Sequence, residues 1–152
     1  LLGRPDVQEF MSDTSVFVIN TSLVWLVGAL AIWRGPQHVF AALCMASIVV
    51  VNAVSHIGAA VIAGSYNPGL LTGVVLFVPV GIGAYVWLGR VSKPPLRIIA
   101  ASLAWGLVAH VLMISGVLAM YHFDQIPEVA YFAVLIAWSL LPAFAPSHTQ
   151  TD

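Results

Sequence analysis

Residues 39–63 read VFAALCMASIVVVNAVSHIGAAVIA and contain no Asp, Glu, Lys or Arg. A run of this length and character matches the ~20 residues that a helix rising 1.5 Å per residue needs to cross the hydrocarbon of a bilayer. Comparable runs lie on either side, at about Ser15–Trp33, Leu70–Leu88, Ile98–Tyr121 and Val129–Ala145. None alternates apolar and polar residues as a barrel strand does, and lipid offers no water to unpaired backbone groups, so each run is expected to be helical. The expected fold is therefore all-α: an integral membrane bundle of about five transmembrane helices forming a single transmembrane domain over residues 1–152.

Composition points the same way. Hydrophobic residues make up 61% of the 152 residues and charged residues 7%, against about 25% charged in a soluble domain. Five Lys/Arg and six Asp/Glu cannot coat a water-facing surface of this size, so the bilayer is the expected principal partner. No basic patch suggests nucleic acid. The one cysteine, Cys44, sits in an apolar run without an internal partner and reads as a small packing residue. The chain opens on Leu1 rather than Met, and Leu1–Thr14 lacks the basic and apolar regions of a signal peptide. Processing or further upstream residues are expected.

The links are short and carry the helix breakers. Arg34–His38 and Ser65–Gly69 are tight hairpins, Gly89–Arg97 contains Pro94 and Pro95, and His122–Glu128 contains Pro127. Links of this length predict sequential helices that are antiparallel neighbours. Arg34, Arg90, Lys93 and Arg97 fall at one end of such a bundle, and Asp13, Asp124 and Glu128 at the other, together with the preceding Arg4, Asp6 and Glu9. The bias of basic residues toward the cytoplasm then places residues before the first helix outside and the C-terminal tail with His148 inside, in a bacterial inner (plasma) membrane. Trp33, Trp87, Tyr66 and Tyr121 lie near the expected interfaces, where amphipathic rings gather.

Polar side chains inside the apolar runs are few and costly there. Asn20, Asn52, His56, Thr72 and His110 stand out, with Ser47, Ser55, Ser115 and Ser139 as weaker members because serine commonly bonds back to its own helix. Asn52 and His56 are one turn apart and share a helix face. Counted by helical rise, Asn20 lies ~8 Å, His56 ~10 Å and His110 ~16 Å from the outer helix ends, with Thr72 in a first turn. A shared pocket in the outer half of the bilayer is the expectation, with Asn20, Asn52, His56, Thr72 and His110 binding a ligand and His56 and His110 available to a transition metal. Imidazole suits both metal ligation and proton transfer. Two histidines without an intramembrane carboxylate leave zinc short of three protein ligands, and a bis-histidine haem has no further support. The plainer reading is that each histidine bonds a neighbouring helix. Pro79 with Gly81 and Gly83 reads as a kink or a close packing surface, and Gly58 and Gly64 as packing residues.

The stretch Asn52-Ala53-Val54-Ser55-His56-Ile57-Gly58, followed by Tyr66-Asn67-Pro68-Gly69-Leu70-Leu71-Thr72, resembles the HXXEE family of multi-pass membrane proteins. Asn52 and His56 match its Asn-x-x-x-His pattern, Tyr66, Pro68, Gly69 and Thr72 match its Tyr-x-Pro-Gly-x-x-Thr pattern, and Pro79 fits a proline in the next helix. The resemblance centres on the second and third runs, with a looser fit for the first. The eponymous His-x-x-Glu-Glu is not in this sequence: around Val7-Gln8-Glu9-Phe10 there is one carboxylate, with Arg4 nearby in place of a histidine. The family brings no established activity. It implies that Asn52, His56 and Thr72 share a pocket with acids supplied from upstream or lost in this member. Two function classes follow, with enzymatic activity left open: a metal- or small-ligand-binding membrane protein, or a non-catalytic accessory subunit of a respiratory or photosynthetic complex. A transporter is less favoured, since the helices lack acidic residues.

Overall fold

A computed structural model describes residues 11–34 and 38–145. Arg4, Asp6, Glu9, the tip of the first hairpin and His148 lie outside these residues. Four helices are long and apolar enough to cross a membrane: α1 (Asp13–Arg34), α2 (Val39–Ala63), α3 (Leu70–Val91) and α4 (Leu96–His122). A shorter fifth, α5 (Glu128–Phe144), has 13 α-helical residues followed by a four-residue 3₁₀ turn. The tightening falls at Pro142, which lacks the N–H needed to continue an α-helix. With 22 residues, α1 and α3 each reach about 33 Å, enough for the hydrocarbon layer. The described residues form an all-helical bundle.

The helix ends follow from local chemistry. Ser12 caps α1, its Oγ accepting from Ser15 N at 3.1 Å. Gly64 ends α2 in the left-handed region at φ +62°, where a side chain would be strained. That is its role, rather than the packing expected of it, because a Cβ there would meet nothing. A Cβ on Gly58 would likewise meet nothing.

The central helix is α2, which packs on α1, α3 and α4. Its most apolar stretch is 44% buried, against 11% for α3, which lies on the periphery. Small residues permit the close approaches: a Cβ on Gly106 of α4 would run into Ser47 of α2, and one on Gly81 of α3 would come 3.3 Å from the carbonyl of Ala46. Helix α1 leans across the bundle, its Val27–Arg34 half on α2 and its Asp13–Leu26 half on α5, which also packs on α4. Ile19, Leu23, Val27, Cys44, Ile48, Trp105 and Leu135 form the main core at these junctions.

The expectation that sequential helices are neighbours needs one correction. The inner position of α2 separates α3 from α4, and the link between those two is made by a side chain, Tyr85, whose hydroxyl lies 3.0 Å from Ser102 Oγ and donates to Leu43 O. The ends divide by charge into a basic end (Arg34, Arg90, Lys93, Arg97) and an acidic end (Asp13, Asp124, Glu128), with Trp33 and Trp87 exposed near the basic one and Tyr66 near the acidic one.

Candidate functional site

Helix α2 brings His56 to within two turns of its acidic end, and the hairpin that follows folds back onto it. Asn67 Nδ2 donates to the carbonyl of His56 at 2.9 Å, and Asn67 Oδ1 lies 2.8 Å from His56 Nδ1. Gly69 passes directly against the ring: a Cβ there would lie 2.6 Å from Cε1 and 2.7 Å from Nε2, and the backbone is left-handed at φ +97°. Thr72 Oγ1 donates to the carbonyl of Gly69 at 3.0 Å, and Gly73 N donates to the same oxygen at 2.7 Å. His56 of one short pattern and Gly69 and Thr72 of the other thus belong to one local device, a clasp that joins the end of α2 to the start of α3.

His110 is 5% exposed on α4, the helix packed against α2. Its Nδ1 lies 2.9 Å from the carbonyl of Gly106. A carbonyl oxygen only accepts, so Nδ1 carries the proton, and in the neutral ring Nε2 keeps its lone pair. Asn52 shares the half-buried face of α2 with His56. Two other predicted residues are less engaged. Asn20 is exposed and its Nδ2 donates back to Val16 O at 2.8 Å, and Thr72 is exposed with its hydroxyl committed to the hairpin. Among the described residues, no three His, Cys, Asp or Glu side chains gather as a metal site.

A second polar constellation at the acidic end has no counterpart in the sequence reading. Glu128, in the first turn of α5, accepts from Ser12 Oγ at 3.0 Å and from Ser15 Oγ at 2.9 Å. The Tyr121 hydroxyl lies 2.8 Å from Ser15 Oγ and 3.0 Å from Ser12 Oγ. Ser15 is wholly buried. The N-terminus of α1 is thereby tied to both sides of the α4–α5 hairpin, across more than a hundred residues of sequence. A serine three residues before another is a capping signal that the sequence reading did not use, and the distant partners leave no local signal.

Two of the long helices carry π turns near this end, at Gly73–Phe77 in α3 and Leu118–His122 in α4, and α1 carries one at Thr21–Leu26. Such turns leave the regular hydrogen-bond ladder and are frequent at functional sites. The first of them stands just before Pro79, whose missing N–H already weakens the ladder there.

A bundle of apolar helices with this few charges is a membrane protein. Its residues 4–86, covering α1, α2 and most of α3, match the family model described as "Protein of unknown function with HXXEE motif". The chain belongs to this family. Comparison with curated proteins and with solved structures gives no match.

Proposed function

We propose that this multi-pass membrane protein binds a transition metal ion or a small ligand in the half of the bundle near its acidic end, through Nε2 of His56 and of His110. The observation that carries this reading is the state of the two rings. Each stands on one of two contacting helices with Nδ1 turned to an oxygen acceptor, which leaves Nε2 as the free electron-pair donor. Metal-bound histidines are held in this way, with the second ring nitrogen donating to a carbonyl or carboxylate. Asn52, one turn from His56, would orient a bound group, and Thr72 belongs to the turn that supports the ring. Two imidazoles do not complete a zinc site, so the remaining positions would be filled by water, by the ligand or by carboxylates. The basic loops favour an orientation with the C-terminus cytoplasmic and the site in the outer leaflet of a bacterial inner membrane.

Elemental analysis of the purified full-length protein, together with its intact mass, tests this reading. A near-stoichiometric transition metal is expected, lost in His56→Ala and in His110→Ala while both variants still insert. A preparation without metal or bound ligand overturns it.

The accessory-subunit reading rests on Asn20. Its amide lies exposed at membrane depth with one bond to its own helix, and a neighbouring subunit would supply partners that lipid cannot. Purification in mild detergent as part of a stoichiometric complex would support that reading, and recovery only as a free monomer or homodimer would count against it.

A further inference from the structure

The clasp at the α2–α3 hairpin assigns a role to a residue that neither short pattern singles out. Asn67 sits at the open position of Tyr-x-Pro-Gly and is half-buried beneath His56. Its amide makes two contacts with the same residue, one to the ring and one to the backbone. The backbone contact decides the chemistry of the other. The His56 carbonyl only accepts, so the Asn67 atom facing it, 2.9 Å away, is the NH₂ group. The atom facing the ring, 2.8 Å away, is then the amide oxygen, and His56 Nδ1 donates to it. Reversing the amide would set two oxygens against each other and lose the bond to the carbonyl.

We infer that Asn67 is the positioning residue of His56: it holds the imidazole in the Nδ1–H form with Nε2 unprotonated, and Gly69 makes the room that lets it do so. The two features act together. The left-handed Gly69 turn carries the hairpin back under α2, and the absent side chain at Gly69 leaves the space the ring occupies. Asn67 can then reach both the ring and the carbonyl from one short loop. The arrangement serves in the loop the purpose that the Gly106 carbonyl serves within α4 for His110. The consequence for binding rests on the proposed His56–His110 site, whereas the tautomer itself does not.

Nitrogen-15 spectroscopy of full-length protein labelled at histidine, in detergent micelles after chelator treatment, separates protonated from bare ring nitrogens. In the native chain the His56 signal, assigned by its absence from His56→Gln, is expected to show a protonated Nδ1 and a bare Nε2. Asn67→Leu should invert that pattern. Asn67→Asp, which keeps the acceptor and loses the donor, should restore it even if the hairpin is weakened. Titration with Zn²⁺ alone should show binding weakened about 10–100-fold in Asn67→Leu, as for other groups that orient a metal-bound histidine. A native His56 with a protonated Nε2, or an Asn67→Leu protein with an unchanged pattern, overturns the inference. The native spectrum decides even where Asn67→Leu does not accumulate. If the tautomer responds to Asn67 but the native protein takes up no metal, the proposed site fails while the role of Asn67 stands. If metal binds and the tautomer ignores Asn67, the reverse holds.

Discussion

The two polar constellations at the acidic end differ in what their hydrogen bonds join. Around Glu128 the bonds run between helices: one carboxylate oxygen takes two serine hydroxyls, the Tyr121 hydroxyl turns to the serines, and Ser12 also caps its own helix. Around His56 and His110 each ring commits Nδ1 to an oxygen acceptor a short way along the chain and keeps Nε2 for something else. The first arrangement ties α1 to the α4–α5 hairpin. The second is open, and an open electron pair is what a binding site needs. Polar side chains in a membrane protein are therefore better sorted by what they leave unpaired than by how rare they are.

That contrast is breakable. The largest effect is expected from Glu128→Ala, which leaves the buried Ser15 hydroxyl and its neighbours without their acceptor and should cost about 1–3 kcal/mol of stability, read by denaturation in detergent. Metal content should stay at the native level, and a parallel loss of metal would show that the two constellations are coupled. Gly69→Ala comes next. The new methyl would meet the His56 ring at a backbone angle that favours glycine, so a loss of about 1–2 kcal/mol is expected from strain and overpacking. Unlike Glu128→Ala it should also disturb the His56 ring nitrogen signals. His110→Phe removes a hydrogen bond that stays within α4, so it should change stability by only about 0.5–1.5 kcal/mol, and should abolish metal uptake. A stability loss as large as that of Glu128→Ala would make His110 a structural residue. The smallest effect is expected for Asn20→Leu, within about 0.5 kcal/mol, since Asn20 is exposed and bonds only to its own helix. A larger loss, or dissociation of a complex, would favour the accessory-subunit reading.

The helices were legible because the requirement behind them is local. Any stretch without charges that is long enough to span hydrocarbon must satisfy its backbone internally, and residues 39–63 meet that condition on composition alone. The same holds for the hairpins, where Pro and Gly stop the helices, and for the family pattern, whose residues lie within a few turns of each other. His56 was found this way. Asn67 lies eleven residues further on and was passed over, since an asparagine in a Pro-Gly turn reads as turn chemistry until the ring above it is seen.

Other features depend on which helix faces meet, and periodicity says little about this when a helix is apolar all round. Depth along the helix axis suggested that Asn20, Asn52, His56, Thr72 and His110 shared a pocket. The packing turned Asn20 and Thr72 to exposed positions, because a residue's depth leaves its direction around the axis open. The placement of α2 between α3 and α4 was equally out of reach, as it follows from the small residues Gly106 and Gly81 fitting against Ser47 and Ala46. The Ser12, Ser15, Tyr121 and Glu128 cluster makes the point most clearly. Its members are ordinary cap, interface and loop residues in sequence, and they become a unit only when α1 crosses the bundle to reach α5. Length and polarity along a chain decide that it enters the membrane and where it turns, since those depend on each segment's own transfer from water to lipid. The pairing of polar groups depends on contacts between segments, and those are made only when the bundle closes.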